Sequence, residues 1–182
     1  ILHDRIIAIA EERKQRIGVL MTRTDDRNLD FGERARICDR PDTACIVSIH
    51  FNASNSHDAR GSLALIASEK RNPNYDIDHR FGLGLAEACA NGIKPFLPGA
   101  SNRGVITDNH LHGGLGSNFF FQLRTKKQLS KVPKAFLEVE FMDNPVVEKA
   151  LLKGNRKEKF TAIANSIADY LLREAEPAAI SR

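Results

Sequence analysis

Apolar positions along this chain change period several times, and each change marks an element. Leu2, Ile6, Ile9 and Ala10 recur at helical spacing, while Asp4, Arg5, Glu11, Glu12, Arg13 and Lys14 fall mostly on the other side. That pattern predicts an amphipathic helix. No Ser, Thr, Asp or Asn stands in front of it as a cap, so the chain is expected to begin inside a helix. Residues 17–22 form a short apolar run that predicts a buried strand, and 31–40 read as a helix capped by Asp30. Strands are predicted at 45–51, β-branched at Ile46, Val47 and Ile49, and at 61–67, opened by Gly61. A helix over 76–91 carries Phe81, Leu83, Leu85, Ala86 and Cys89. Residues 92–118 are polar and glycine-rich and predict a loop. Two further strands, 119–123 and 135–141, flank a basic loop at 124–134. The last element is a strong amphipathic helix with Phe160, Ile163, Ala164, Ile167 and Leu171 on one stripe.

Strands of five to seven residues alternating with helices predict an α/β fold: a three-layer sandwich in which a mostly parallel, twisted sheet carries helices on both faces. The length of 182 residues fits one domain, expected over 1–175 with a loose tail at 176–182. In open α/β sheets the site lies beyond the carboxyl ends of the strands.

Composition narrows the field modestly. Hydrophobic residues at 42% and charged residues at 27% are ordinary for a packed globular chain. No apolar stretch approaches the roughly 18 residues of a membrane-spanning helix. Lys plus Arg at 27 against Asp plus Glu at 23 leaves a net +4, which suits an anionic partner. Nucleic acid is a poor candidate for that partner, because the chain has no Trp and no aromatic platform beside its lysines. Cys38, Cys45 and Cys89 form no C-x-x-C pair, which argues for buried free thiols over a cysteine zinc site. Phosphate-loop, dinucleotide, nucleophile-elbow and H-E-x-x-H signatures are all missing from the sequence.

Two polar features fall where strands end. His50 closes the run Val47-Ser48-Ile49-His50, followed by Asn52, Ser54 and Asn55; its imidazole could bind a divalent metal or bond a loop carbonyl. Glu138 and Glu140, two apart on an apolar strand, are expected on one face, with Leu137, Val139 and Phe141 on the other. Buried acids need a partner, a hydrogen bond or a metal, and one held partly dry could serve as a general base. An edge strand facing water, or pairing with Lys or Arg, is the alternative. His110 and His112, like His57 and His79, read as solvated. The basic cluster of Arg124, Lys126, Lys127, Lys131 and Lys134 reads as a solvated loop able to steer an anionic polymer.

Six segments occur in order: Leu20-Met21-Thr22-Arg23-Thr24-Asp25-Asp26, Glu33-Arg34-Ala35-Arg36-Ile37, Ser48-Ile49-His50-Phe51-Asn52-Ala53, Arg60-Gly61-Ser62, Asn102-Arg103-Gly104-Val105 and Leu137-Glu138-Val139-Glu140-Phe141-Met142-Asp143-Asn144-Pro145. Together they resemble the zinc-dependent N-acetylmuramoyl-L-alanine amidases called amidase 3. The resemblance implies a hydrolase that cleaves the amide between N-acetylmuramic acid and L-alanine of peptidoglycan with a Zn2+-activated water. It places a zinc ligand at His50, the essential glutamate at Glu138, and substrate contacts at Asn52 and Arg103. Glu140 stands where the family usually has glycine, and is expected to raise the pKa of Glu138 by like-charge repulsion. The family's Gly-His-Gly-Gly ligand and helix-start glutamate would fall before Ile1. His3, Glu11, Glu12 and His112 do not replace them. The resemblance further implies the periplasm or cell envelope, an activator protein as a partner, and, as the alternative, a degenerate amidase that binds without cleaving.

Overall fold

A computed structural model describes residues 1–108 and 131–176. The first helix, α1 (Leu2–Glu12), has Ile1 at its N-cap with no side-chain cap bond. By contrast α2 (Phe31–Cys38) carries a full capping box: Asp30 accepts from the Glu33 amide at 2.7 Å and Glu33 accepts from the Asp30 amide at 2.8 Å. Each such arrangement satisfies two otherwise orphaned amides. Strands β1 (Ile46–Asn52) and β2 (Ser62–Ile66) precede the long helix α3 (Tyr75–Ile93). Strands β3 (Asn102–Thr107) and β4 (Lys134–Phe141) follow, then the short helix α4 (Pro145–Val147), a π-helical turn, and α5 (Arg156–Glu174).

The sheet runs in the order β1-β4-β2-β3. β1 pairs parallel with β4, and β2 with β3, whereas β2 and β4 are antiparallel. The mostly parallel sheet is thus built of two parallel pairs set head to tail. The carboxyl ends of β1 and β4 therefore share one end of the sheet with the amino ends of β2 and β3.

The two faces are covered unequally. Ala64, Ile66, Leu137 and Val139 bury against Ile6 and Ile9 of α1, Phe81, Leu85 and Cys89 of α3, and Ile163, Ile167 and Leu171 of α5. Burying each large apolar side chain fully is worth about 1.5–3 kcal/mol. Tyr170 ties α5 to α3 by donating to the Phe81 carbonyl at 2.9 Å, and Arg13 pairs with Asp169 between α1 and α5. On the other face Ile46, Leu63, Leu65, Phe136 and Phe141 form a smaller cluster, with Cys38 at the end of α2, Ala59, Val132 and Ile106 of β3 packed against it.

Several expectations change. Residues 17–22 form no strand: Ile17 and Val19 lean on the larger core, while Leu20 and Met21 are exposed. The apolar run is there, but among the described residues no strand pairs with it. β3 lies inside the stretch expected to be loop; its apolar signal is only Val105-Ile106, preceded by Asn102, Arg103 and Gly104. The strand expected at 119–123, His110, His112, Arg124, Lys126, Lys127 and the end of the tail lie outside the described residues. The three cysteines are free, with Cys89 buried and its thiol pushed up to about 12 by burial.

Lys134 also departs from the basic-loop reading. It opens β4 fully buried, its Nζ 3.8 Å from Asp78 Oδ1 and donating to the Val132 carbonyl at 2.7 Å. Asp78 further accepts from the Lys134 amide and from Asn72 Nδ2. This network locks the first turn of α3 to the start of β4.

Candidate functional site

His50 and Glu138 face each other as register partners on β1 and β4, and Glu138 is also paired with Leu63 of β2. The imidazole stacks on Phe136, centroids 4.0 Å apart at 13°, and its Nε2 lies 3.1 Å from Ser48 Oγ. Burial, with the Arg34 charge, lowers the His50 pKa and keeps the ring neutral at physiological pH, the state in which a nitrogen can ligate a metal. Glu138 is half-buried, and its Oε2 has no hydrogen-bond partner among the described residues. Burial pushes its pKa up to about 7.

Glu140 contributes nothing to that shift, contrary to expectation; burial is the sole cause. The reason is a β-bulge. The pairing passes from His50↔Glu138 to Asn52↔Phe141, so Val139 and Glu140 together oppose Phe51. Phe141 consequently joins Phe136 in the smaller cluster rather than Leu137 and Val139. Bulges of this kind re-aim side chains. Glu140 is fully buried and turns its Oε2 to the amides of Gly61 at 2.7 Å and Phe141 at 2.9 Å. It is a connector between β4 and the turn before β2.

A second bulge lies at the far strand. Ser62 pairs with Asn102 but Ala64 with Val105, so Arg103 and Gly104 oppose Leu63, with Gly104 at φ +85°. Arg103 is thereby carried over the Phe141 ring, 5.4 Å to the centroid, and Nη1 donates to the Arg60 carbonyl at 3.1 Å. Asn52 ends β1; its carbonyl accepts from the Met142 amide at 2.9 Å, and its side chain accepts from the Ala53 amide at 2.8 Å. The four sequence-predicted residues His50, Glu138, Asn52 and Arg103 thus come from strands that meet at one end of the sheet.

Sequence reasoning missed Asp143. Its Oδ2 accepts from the Ser54 amide at 3.0 Å and pairs with His57 Nδ1 at 2.7 Å, while Asn144 Nδ2 donates to the His57 carbonyl at 3.0 Å. The Ser54 and His57 bonds hold the Asp143 carboxyl below its usual value. His57, expected to be solvated, is exposed yet pinned, and it closes the loop after β1 onto the loop after β4. Nothing in the local pattern distinguishes such a long-range clamp.

A catalytic zinc takes three protein ligands and leaves a position for water. Among the described residues no three His, Cys, Asp or Glu side chains gather to hold an ion. His50 offers one ring nitrogen and Glu138 one unpartnered oxygen, so the described residues do not by themselves fit a zinc site. Among them, no helix is long and apolar enough to cross a membrane.

Solved structures similar to this chain share its fold. They include the catalytic domain of CwlV, an N-acetylmuramoyl-L-alanine amidase from Paenibacillus polymyxa, at 22% identity and TM-score 0.60, covering 94% of this chain and 79% of that one. AmiC2 of Nostoc punctiforme, another such amidase, is 20% identical with TM-score 0.62, again over 94% and 79%. The CwlD amidase of Clostridioides difficile, solved with the GerS lipoprotein, is 19% identical with TM-score 0.62 over 94% and 83%. No curated protein matches the sequence. The family described as N-acetylmuramoyl-L-alanine amidase, amidase 3, matches residues 5–169, nearly the whole described fold, and this chain belongs to it.

Proposed function

We propose that this chain hydrolyses the amide bond between the lactyl group of N-acetylmuramic acid and L-alanine in peptidoglycan, with Glu138 as general base. The observation that carries this reading is the carboxylate of Glu138, half-buried beside His50 with an unpartnered oxygen and a pKa near 7. A base so poised exchanges protons readily near neutral pH. Glu138 takes a proton from water as the hydroxyl adds to the lactyl carbonyl carbon. It then passes that proton to the departing nitrogen as the C–N bond breaks, giving a lactyl carboxylate and the free amine of L-alanine. Asn52 and Arg103 flank the acid as substrate contacts. Zinc, when bound, would polarise the carbonyl and acidify the water. His50 would be one of its ligands, and the described residues do not complete the set.

The test is release of stem peptide from purified peptidoglycan. Wild-type chain is expected to release free amino termini, and Glu138→Gln to abolish release with an unchanged melting curve. Near-full activity in that variant removes Glu138 from the mechanism.

A second reading is a non-catalytic module that holds cell wall, since among the described residues no three metal-ligating side chains gather. Co-sedimentation with peptidoglycan without any release, by wild type as by Glu138→Gln, is its signature. Either reading places the chain in the periplasm, cell envelope or outside the cell, where its substrate is. An activator protein belongs to the same proposal, supported only by the CwlD amidase having been solved with a lipoprotein.

A further inference from the structure

We propose that Arg103 is the specificity-determining residue for the peptide side of the substrate, binding a free carboxylate on the residue that follows L-alanine. The inference rests on the amidase reading and assigns the chemistry of one part of the same site.

Four observations carry it. The first is the extra residue in β3. Without it Arg103 would share a face with Val105, which packs on the helical core; with it the guanidinium lies over Phe141, in the cluster that includes Phe136 and Leu63. The side chain is therefore delivered to the Glu138 face by the bulge in β3.

The second is how firmly it is held. A Cβ on Gly61 would stand 2.7 Å from Arg103 Cγ and 3.0 Å from its Cδ, so the stem lies in a groove that only glycine leaves open. Phe141 supports the guanidinium from one side, and the Arg60 carbonyl takes one N–H. A planar fork fixed in this way loses little rotamer freedom when it binds.

The third is what Arg103 lacks. It is exposed, and no carboxylate among the described residues pairs with it, so its remaining donors face outward. The complement of such a fork is a carboxylate, bound bidentately.

The last is spacing. β3 stands two strands from β4 in the sheet order, roughly 10 Å at about 4.8 Å per strand. An extended peptide covers about 3.3–3.6 Å per residue, and the long arginine side chain spans part of the gap. A peptide whose scissile bond lies at Glu138 covers about 7 Å by the residue that follows L-alanine, and the arginine side chain spans the remainder.

The experiment uses synthetic N-acetylmuramoyl-L-alanyl tripeptides. The second residue bears a free α-carboxylate or its carboxamide, and the C-terminus is separately free or amidated. Turnover and calorimetric binding are measured for wild type, Arg103→Gln and Arg103→Lys. Wild type is expected to prefer the second-residue carboxylate by roughly ten- to a hundredfold in kcat/KM or Kd, the span of a charge-assisted hydrogen bond. Arg103→Gln should erase that preference by bringing turnover and binding of the carboxylate substrate down towards those of the carboxamide, and Arg103→Lys should restore part of it. A merely structural arginine would weaken both substrates alike, and that result overturns the proposal. A preference that follows only the C-terminal carboxylate overturns it too. Discriminating binding without turnover keeps the arginine assignment and sinks the hydrolase reading. Turnover with no discrimination does the reverse.

Discussion

His50 and Glu138 are register partners on adjacent parallel strands, an imidazole kept neutral and a carboxylate kept protonated further up the pH scale than usual. Both shifts come first from burial, so the pair is unfavourable to charge in either member. This couples the site to stability.

The ordinary glutamate value is 4.5, and in the fold Glu138 rises to about 7. Between those values the native state holds a proton that the unfolded chain has released. Stability of the metal-free chain therefore falls as pH climbs through that window and levels off above it. Glu138→Gln should flatten this slope. Thermal melts of both proteins at steps from pH 4.5 to 7.5 check it; parallel curves would show that Glu138 is better solvated than its position implies.

Glu140 should matter to folding. Glu140→Ala strands the buried amides of Gly61 and Phe141, at a cost of about 2–5 kcal/mol. Glu140→Gln keeps an acceptor oxygen and should cost clearly less. Urea unfolding separates the two, and equal losses would point to lost volume rather than lost hydrogen bonds.

Lys134 and Asp78 form a buried ion pair, so removing one partner leaves the other charged without compensation. Lys134→Met is expected to destabilise by about 3–5 kcal/mol. Had Lys134 belonged to a solvated basic loop, the change would fall within about 0.5 kcal/mol. Equilibrium denaturation decides between the two.

Gly61 adopts φ +112°, and an added methyl would meet Arg103 Cγ at 2.7 Å and the Ser101 carbonyl at 2.9 Å. Gly61→Ala should cost about 1–3 kcal/mol from backbone strain. In a chain of this size that lowers Tm by about 2–4 °C per kcal/mol. It should also displace Arg103 and reduce discrimination between acidic and amidated peptides, whereas a drop in Tm alone would detach Gly61 from recognition.

Much of the fold was legible because local signals agreed with the tertiary outcome. Asp30 and Glu33 announce the start of α2, the β-branched run 46–49 announces β1, and the stripe of Ile163, Ile167 and Leu171 announces α5. The run 17–22 misled because a short apolar run reports packing on a core, not whether a strand lies alongside. β3 was missed because its only apolar residues, Val105 and Ile106, follow Asn102, Arg103 and the glycine at which the bulge falls. Within the site, His50 and Glu138 could be found as polar residues on apolar strands, and the resemblance gave them roles. The destination of Glu140 could not be read, since one extra residue in β4 reverses the parity of all that follows. Asp143 was silent for another reason: its partners Ser54 and His57 are distant in sequence and meet it only in the folded chain.

Asp108 and Lys131, the described residues on either side of 109–130, are both anchored to one segment. Asp108 accepts from the Ser68 amide, and the Lys131 amide donates to Asn74, so both roots are fastened to the loop between β2 and α3. They stand at the end of the sheet away from Asn52 and Arg103, with Lys134 about 13 Å along β4 from Glu138 at about 3.3 Å per residue. Ser68 and Asn74 thus couple the far ends of β3 and β4 through one short segment, so a change there would be felt by both strands.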